Sequence, residues 1–377
     1  MRPTIAVLAG ALAILIGSTS MAQSLAQSLP DAPISPPPMI MPPLPRPSSD
    51  PVQMGLAAER SGDLAGALKL LRAEADKGNV DAEYQVGRFY NLGIGMAPDP
   101  AAAAVWYRKA ADQGNVYAGA DLGIMYLKGQ GVPLDAQQGI GLLEVAAAKN
   151  IAPAASNLCV VYVQGISIKA DYAKGLTWCR QGALAGQPPA ELMLGELYGW
   201  GLGGLPKDQR EALVWILASA SQRNPGAEAF MGRLFTNGWG VPVDYTKAVG
   251  WYRAAADQQS PDAEFALGQA YSKGLGAPAD PAEAFKWWLK SATRGNWAAQ
   301  KAVALAYAKG AGVARDDLRA MVWLSLADVR LRAANESNDD AAVRMQLYAR
   351  MTPDQLKEAG RLAQLWKPDC VEVLKCR

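Results

Sequence analysis

The 377-residue sequence predicts an all-α fold, an α/α solenoid (superhelix) of about seven to eight 36-residue helix–turn–helix repeats with a helical C-terminal cap. Four ladders carry that prediction. Asp occurs at 63, 99, 135, 171, 208, 244, 280 and 316, in steps of 36 residues with one of 37. Ala recurs at 82, 118, 154, 190, 227, 263 and 299 in the same register. Rings recur in two slots: Trp106, Trp178, Trp215, Trp251, Trp287 and Trp323 in one, and Tyr90, Tyr126, Tyr162, Tyr198, Phe235, Tyr271 and Tyr307 in the other.

The chain divides into four zones. Residues 1–22 have the pattern of a secretory signal peptide, with Arg2, an apolar stretch from Ile5 to Gly17, and Ser20-Met21-Ala22 before the expected cut. Cleavage after Ser24-Leu25-Ala26 and an uncleaved anchor are the alternatives. The apolar stretch is shorter than the roughly 20 residues of a spanning helix. No membrane span is expected once it is removed, and the location is periplasmic or secreted. Residues 23–51 form a proline-rich linker with ten prolines between Pro30 and Pro51. Proline removes donors and fixes φ, so this stretch reads as a disordered spacer, or as an extended ligand for an aromatic groove. The repeats occupy 52–330, and 331–377 form a helical cap and tail.

Within each repeat the Asp is a helix N-cap, its carboxylate accepting from the first free backbone N–H groups. Asp99-Pro100 and Asp280-Pro281 add proline in the first turn, where its missing N–H costs nothing. A first helix follows, with apolar residues at helical spacing such as Ala103, Trp106, Tyr107 and Ala110. It stops at Gly114, or at Gly78, Gly186, Gly295 and Asn150 elsewhere, residues suited to a left-handed cap. Asn79, Asn115, Asn224, Ser260 and Asn296 then cap a second helix that carries the Ala and Tyr ladders. Neither helix buries its apolar stripe alone, so neighbouring units must stack. The fixed spacing of the Trp ladder assigns it to core packing rather than to stacking on carbohydrate. Residues 52–61 read as a lone half-unit helix. Asn335-Glu336-Ser337-Asn338 breaks the helix after Trp323, and Thr352-Pro353-Asp354-Gln355 is a capping box for a last helix.

The run Trp106-Tyr107-Arg108-Lys109-Ala110-Ala111, then Leu122-Gly123-Ile124-Met125-Tyr126, then Gly129-Gln130-Gly131-Val132 resembles the Sel-1-like repeat of the tetratricopeptide superfamily. Trp251-Tyr252-Arg253-Ala254-Ala255-Ala256 and Gly238-Trp239-Gly240-Val241 repeat the match, which spans residue 55 to about 330. The third unit departs most, with Leu142, Cys159 and Gly165-Ile166-Ser167-Ile168 in place of Trp, Gly and the loop motif. The resemblance implies an adaptor, a regulator or a host-contact factor.

Charge is balanced, 37 Lys+Arg against 35 Asp+Glu, and no basic stripe suggests nucleic acid. Histidine is absent, which removes Ser-His-Asp and Cys-His catalysis. The regular acids are accounted for as caps, and no metal or cofactor is implied. The chain therefore reads as a monomeric, non-catalytic scaffold that binds an extended or acidic segment of an envelope protein. The alternative is a cell-wall-associated structural factor or a weak hydrolase of peptidoglycan or β-lactams. If the second helix is the inner one, its outward positions line a concave groove. They give Tyr84, Arg88, Ile124, Lys128, Glu196, Trp200, Arg233, Asn237, Phe265, Gln269, Lys273 and Lys309 as partner-binding candidates; an ordinary solvated face is the bland reading. Trp200 is the better surface anchor, whereas Trp239 should pack inward. Export permits disulfides. Cys159 and Cys179 lie at similar depth on antiparallel neighbours, and Cys370 and Cys376 could close a small loop; buried free thiols are the alternative for the first pair.

Overall fold

The structure is a computed structural model that describes residues 50–334 and 341–366. The expected signal peptide, the expected linker up to residue 49, the expected break at Asn335–Asn338 and the expected Cys370–Cys376 pair lie outside the described residues. Every described element is a helix. The chain divides into two compact units after Ser219.

In the first unit α1 (Pro51–Ser61) precedes the pairs α2 (Leu64–Ala75) with α3 (Val80–Leu92), α4 (Pro100–Asp112) with α5 (Val116–Lys128), α6 (Ala136–Ala148) with α7 (Ala152–Gln164), and α8 (Tyr172–Leu184) with α9 (Pro188–Trp200). Helix α10 (Gln209–Ser221) runs to the boundary. The second unit holds α11 (Pro225–Asn237), α12 (Tyr245–Asp257) with α13 (Pro261–Lys273), and α14 (Pro281–Thr293) with α15 (Trp297–Lys309). Helices α16 (Asp317–Ala334), α17 (Ala341–Arg350) and α18 (Pro353–Leu365) complete it. The half-unit helix starts one residue before the expected boundary. Pro51 is helical because Asp50 accepts from Val52 N and proline at the first position loses no bond.

All eight ladder aspartates accept from backbone N–H groups two or three residues ahead. Asn79, Asn115, Asn224 and Asn296 cap their helices in the same way. Ser260 occupies the cap position without donating or accepting a side-chain cap bond. Thr352 and Gln355 form the reciprocal capping box. Between the two helices of a repeat, the stop residue takes positive φ at Gly78, Gly114, Gly186 and Gly295, and also at Asn150, Arg223 and Gln259. Two of those three non-glycine residues have no Asn or Gly chemistry to announce them.

All seven ladder alanines are fully buried, because a larger side chain there would hold the helices apart. The second-helix glycines meet a ring or branch of the next first helix. A Cβ on Gly87 would lie 2.5 Å from the Tyr107 ring, on Gly232 2.5 Å from Tyr252, and on Gly268 2.2 Å from Trp288. At the junction of the third and fourth repeats the same two slots hold Cys159 and Cys179, which form a disulfide with Cα atoms 4.6 Å apart. The bond thus stands where other repeats press glycine against a large side chain. Trp106, Trp215, Trp251 and Trp323 are buried as the ladder predicts. Trp178 and Trp287 are only half-buried. The Lys290 ammonium lies 4.0 Å from the exposed face of the Trp287 ring and covers it by a cation–π contact.

Candidate functional site

In the second unit, α13, α14 and α15 form an open cavity of about 420 Å³. Its apolar wall comes from Phe265, Trp288, Ala298, Ala302, Leu305 and Ala306. Gln269 and Ser272 add polar groups, and Lys273, Lys301 and Lys309 stand at its rim. Lys273 and Lys309 end α13 and α15, and both are exposed. Lys301 lies eight residues before Lys309 on the same helix, about 12 Å along its axis. No carboxylate is among the lining residues. The site therefore offers an apolar floor under a cationic edge.

The cavity has a local cause in the sequence. The slot filled by Ala302 holds Gln85, Asp121, Asn157, Met193 and Phe230 in the first five repeats, and that of Ala306 holds Phe89, Met125, Val161, Leu197 and Leu234; α13 alone among these helices shares the alanine pair, as Ala266 and Ala270. Alanine in both slots of α15 removes the atoms that would fill the space. Of the expected partner-binding residues, Phe265, Gln269, Lys273 and Lys309 converge here, whereas Arg233 and Asn237 do not line the cavity. Arg233 is exposed, with its guanidinium 4.6 Å from the Phe230 ring.

On the corresponding face of the first unit, tyrosine rings occupy the space among α3, α4 and α5. Tyr84 packs 5.8 Å from Tyr107 and 6.3 Å from Tyr117, centre to centre. The Tyr84 and Tyr107 hydroxyls and the Arg88 guanidinium lie near enough to Asp121 to interact with its carboxylate. Burial raises the Asp121 carboxyl above the usual carboxylate range. Burial, then the Asp121 charge, pushes Tyr84 up to about 12. Arg88 is half-buried, bonds to Gln85 and lies 3.8 Å from Glu59. Ile124 packs against the core around Leu143 and Leu158 rather than facing an open groove. Lys128 is exposed and Glu196 half-buried. Trp200 is 58% exposed, and Trp239 sits half-buried, edge-on to Phe230 at 5.9 Å.

Sequence reasoning missed Trp288, Ala298, Ala302 and Leu305 in one unit, and Tyr107, Tyr117 and Asp121 in the other. The coincidence of two alanines one turn apart was the available signal for the first set. It also missed a set of buried carboxylates next to the Ala ladder. Glu83 accepts from Gln113 at 2.7 Å, Glu228 from Gln258 at 2.7 Å, and Glu264 from Arg294 at 3.4 Å. Each link ties the second helix of one repeat to the end of the next first helix. Burial holds all three carboxyls above their ordinary range.

The Sel1 repeat family model matches residues 80–115, 117–151, 152–187, 188–224, 225–260, 261–296 and 297–327. The chain belongs to the Sel1 repeat family. Sel1 repeat solenoids typically serve as protein–protein interaction scaffolds, and the family is generally non-catalytic. Among solved structures, a protective antigen present in uropathogenic Escherichia coli strains, displaying an SLR fold, is 30% identical with a TM-score of 0.65. That match covers 86% of this chain and 69% of the antigen. A Sel1 repeat protein from Oxalobacter formigenes is also 30% identical, with a TM-score of 0.57, over 64% of this chain and 98% of its own. No curated protein matches the sequence. Among the described residues no helix is long and apolar enough to cross a membrane.

Proposed function

We propose that this Sel1 repeat protein is a non-catalytic scaffold or regulator of the bacterial envelope that binds a segment of a partner protein on its second-helix face. The observation that carries the reading is the lysine-rimmed cavity of α13 to α15. It joins hydrophobic anchoring to charge selection, the combination by which grooves hold extended peptides. An exported location is supported by the signal-like first 22 residues and by the Cys159–Cys179 bond, which belongs to an oxidising compartment.

The test uses the exported protein as bait with envelope extract. The double variant Lys273→Glu, Lys309→Glu should lose a discrete partner by at least tenfold while keeping its helical spectrum. Equal recovery by both proteins would remove this face from consideration. N-terminal sequencing of the exported form should begin at Gln23; a chain that retains Met1 would overturn the assignment to export by cleavage.

A further inference from the structure

The cavity has a smaller neighbour in the same unit. About 90 Å³ lies among α11, α12 and α13, bounded by Thr236, Tyr245, Tyr252, Ala266 and Ala270. Gln269 and Lys273 line both spaces. Its origin is the same, since Ala266 and Ala270 occupy on α13 the slots of Ala302 and Ala306 on α15. Two hollows of unequal size therefore lie one repeat apart, with a lysine on the wall between them.

Resting on the scaffold reading above, we infer that the second unit recognises an extended acidic segment with a defined spacing of anchors. A bulky apolar side chain enters the large cavity, a small side chain enters the lesser one, and a carboxylate between them meets Lys273. Size separates the two anchors. A cavity of about 150 Å³ is enough to hold benzene. The large space exceeds that and the small one falls short of it. Spacing follows from backbone geometry. The hollows lie on either side of α13, which borders both through Gln269 and Lys273, so one helix diameter, roughly 10 Å, separates them, and an extended chain advances about 3.3 Å per residue. The anchors are therefore about three residues apart.

Charge fixes the sign of the segment. Lys273 and Lys309 flank the large cavity at one end and Lys301 stands toward the other, while neither cavity has an acidic lining residue. A basic segment would be repelled, and a purely acidic one would leave the Phe265 and Trp288 floor wet. The two linked hollows favour a chain over a compact amphiphilic acid, which would occupy one and leave the other empty.

A random dodecapeptide library displayed on phage and selected against the full chain tests this. The enriched sequences should carry a bulky apolar residue, a small residue about three positions away, and Asp or Glu between. A labelled synthetic copy should bind at least tenfold more weakly when its bulky residue becomes Ala, or when the protein carries Lys273→Glu with Lys309→Glu. Ala302→Phe, which fills the large cavity, should abolish the preference for a bulky residue and leave the helical spectrum unchanged. Enrichment of basic peptides, no enrichment, or recovery of the same peptides on the Ala302→Phe protein would overturn the inference. So would saturable binding of decanoate in the cavity without any peptide selected. An envelope partner that depends on Lys273 and Lys309 but lacks the motif would leave the scaffold reading standing and this inference refuted.

Discussion

The disulfide between the third and fourth repeats should stabilise the first unit by about 3 kcal/mol, and the neighbouring repeats supply the control. Cys159 and Cys179 are 20 residues apart in sequence, and both are buried. Loop-closure entropy for a loop of that length gives about 3 kcal/mol at room temperature. Cys159→Ala with Cys179→Ala removes this term and leaves a void where two sulfur atoms were. Cys159→Gly with Cys179→Leu also removes it, but rebuilds the Gly123–Leu143 contact of the preceding repeat, where a Cβ on the glycine would lie 3.2 Å from Leu143 Cγ. That pair should regain about 1 kcal/mol of packing over the alanine pair. The order of stability should be wild type, Gly/Leu, then Ala/Ala. Urea unfolding followed by far-ultraviolet circular dichroism gives the order. Hydrogen exchange in α7 and α8 localises it, since repeat arrays open in parts. Reductant under unfolding conditions should lower the wild type alone. An Ala/Ala protein as stable as the oxidised wild type would refute the reasoning, as would a Gly/Leu protein weaker than Ala/Ala.

Gly232→Ala should destabilise by about 1 to 2 kcal/mol, because the new Cβ meets the buried Tyr252 ring and overpacking exceeds the propensity gain, whereas Gly360→Ala, with nothing within 4 Å, should stabilise by about 0.5 to 1 kcal/mol; urea midpoints of the two variants decide this. Gln259 sits at φ 64° in a slot that glycine fills elsewhere, so Gln259→Gly should raise the thermal midpoint by relieving about 1 kcal/mol of left-handed strain, and a lowered midpoint would contradict that. Stability should rise as pH falls from 7 toward about 4.5. Glu228, Glu264 and Asp121 bind protons more tightly folded than unfolded, so ionising them above their folded values costs stability that acidification restores. Below about pH 4 the sign reverses at Asp317, which Arg315 and then Arg350 hold below its ordinary value, so its contribution is lost as it protonates. Glu228→Gln with Glu264→Gln should flatten the upper limb of a pH titration of the unfolding midpoint.

The fold was legible because each repeat states it again. Asp63 through Asp316 mark eight helix starts, and a residue that caps eight times in one register has one explanation. The disulfide was legible as a geometric possibility, since antiparallel neighbours put Cys159 and Cys179 level. Positive φ at Arg223 and Gln259 was hidden, because tertiary packing forces those residues into a conformation their chemistry does not prefer. The site was half legible. Helical spacing places Phe265, Gln269, Lys273 and Lys309 on one face, but spacing says nothing of depth. Depth came from Ala302 and Ala306, which look like ordinary small core residues until compared with Asp121 and Met125 in the same slots. The same blindness cut the other way in the first unit, where Tyr84 and Ile124 share the face yet fill it. The buried glutamates escaped because Glu83, Glu228 and Glu264 read as first-turn acids near a helix N-terminus, a role that does not require burial.

Photo-crosslinking asks most directly whether the partner docks on the α13–α15 face. A benzophenone side chain is placed at Gln269 in one protein and at Leu184, exposed in the first unit, in another. Irradiation with the captured partner should give a covalent adduct from position 269 and none from 184. An adduct from 184 alone would contradict the assignment of recognition to the lysine-rimmed cavity.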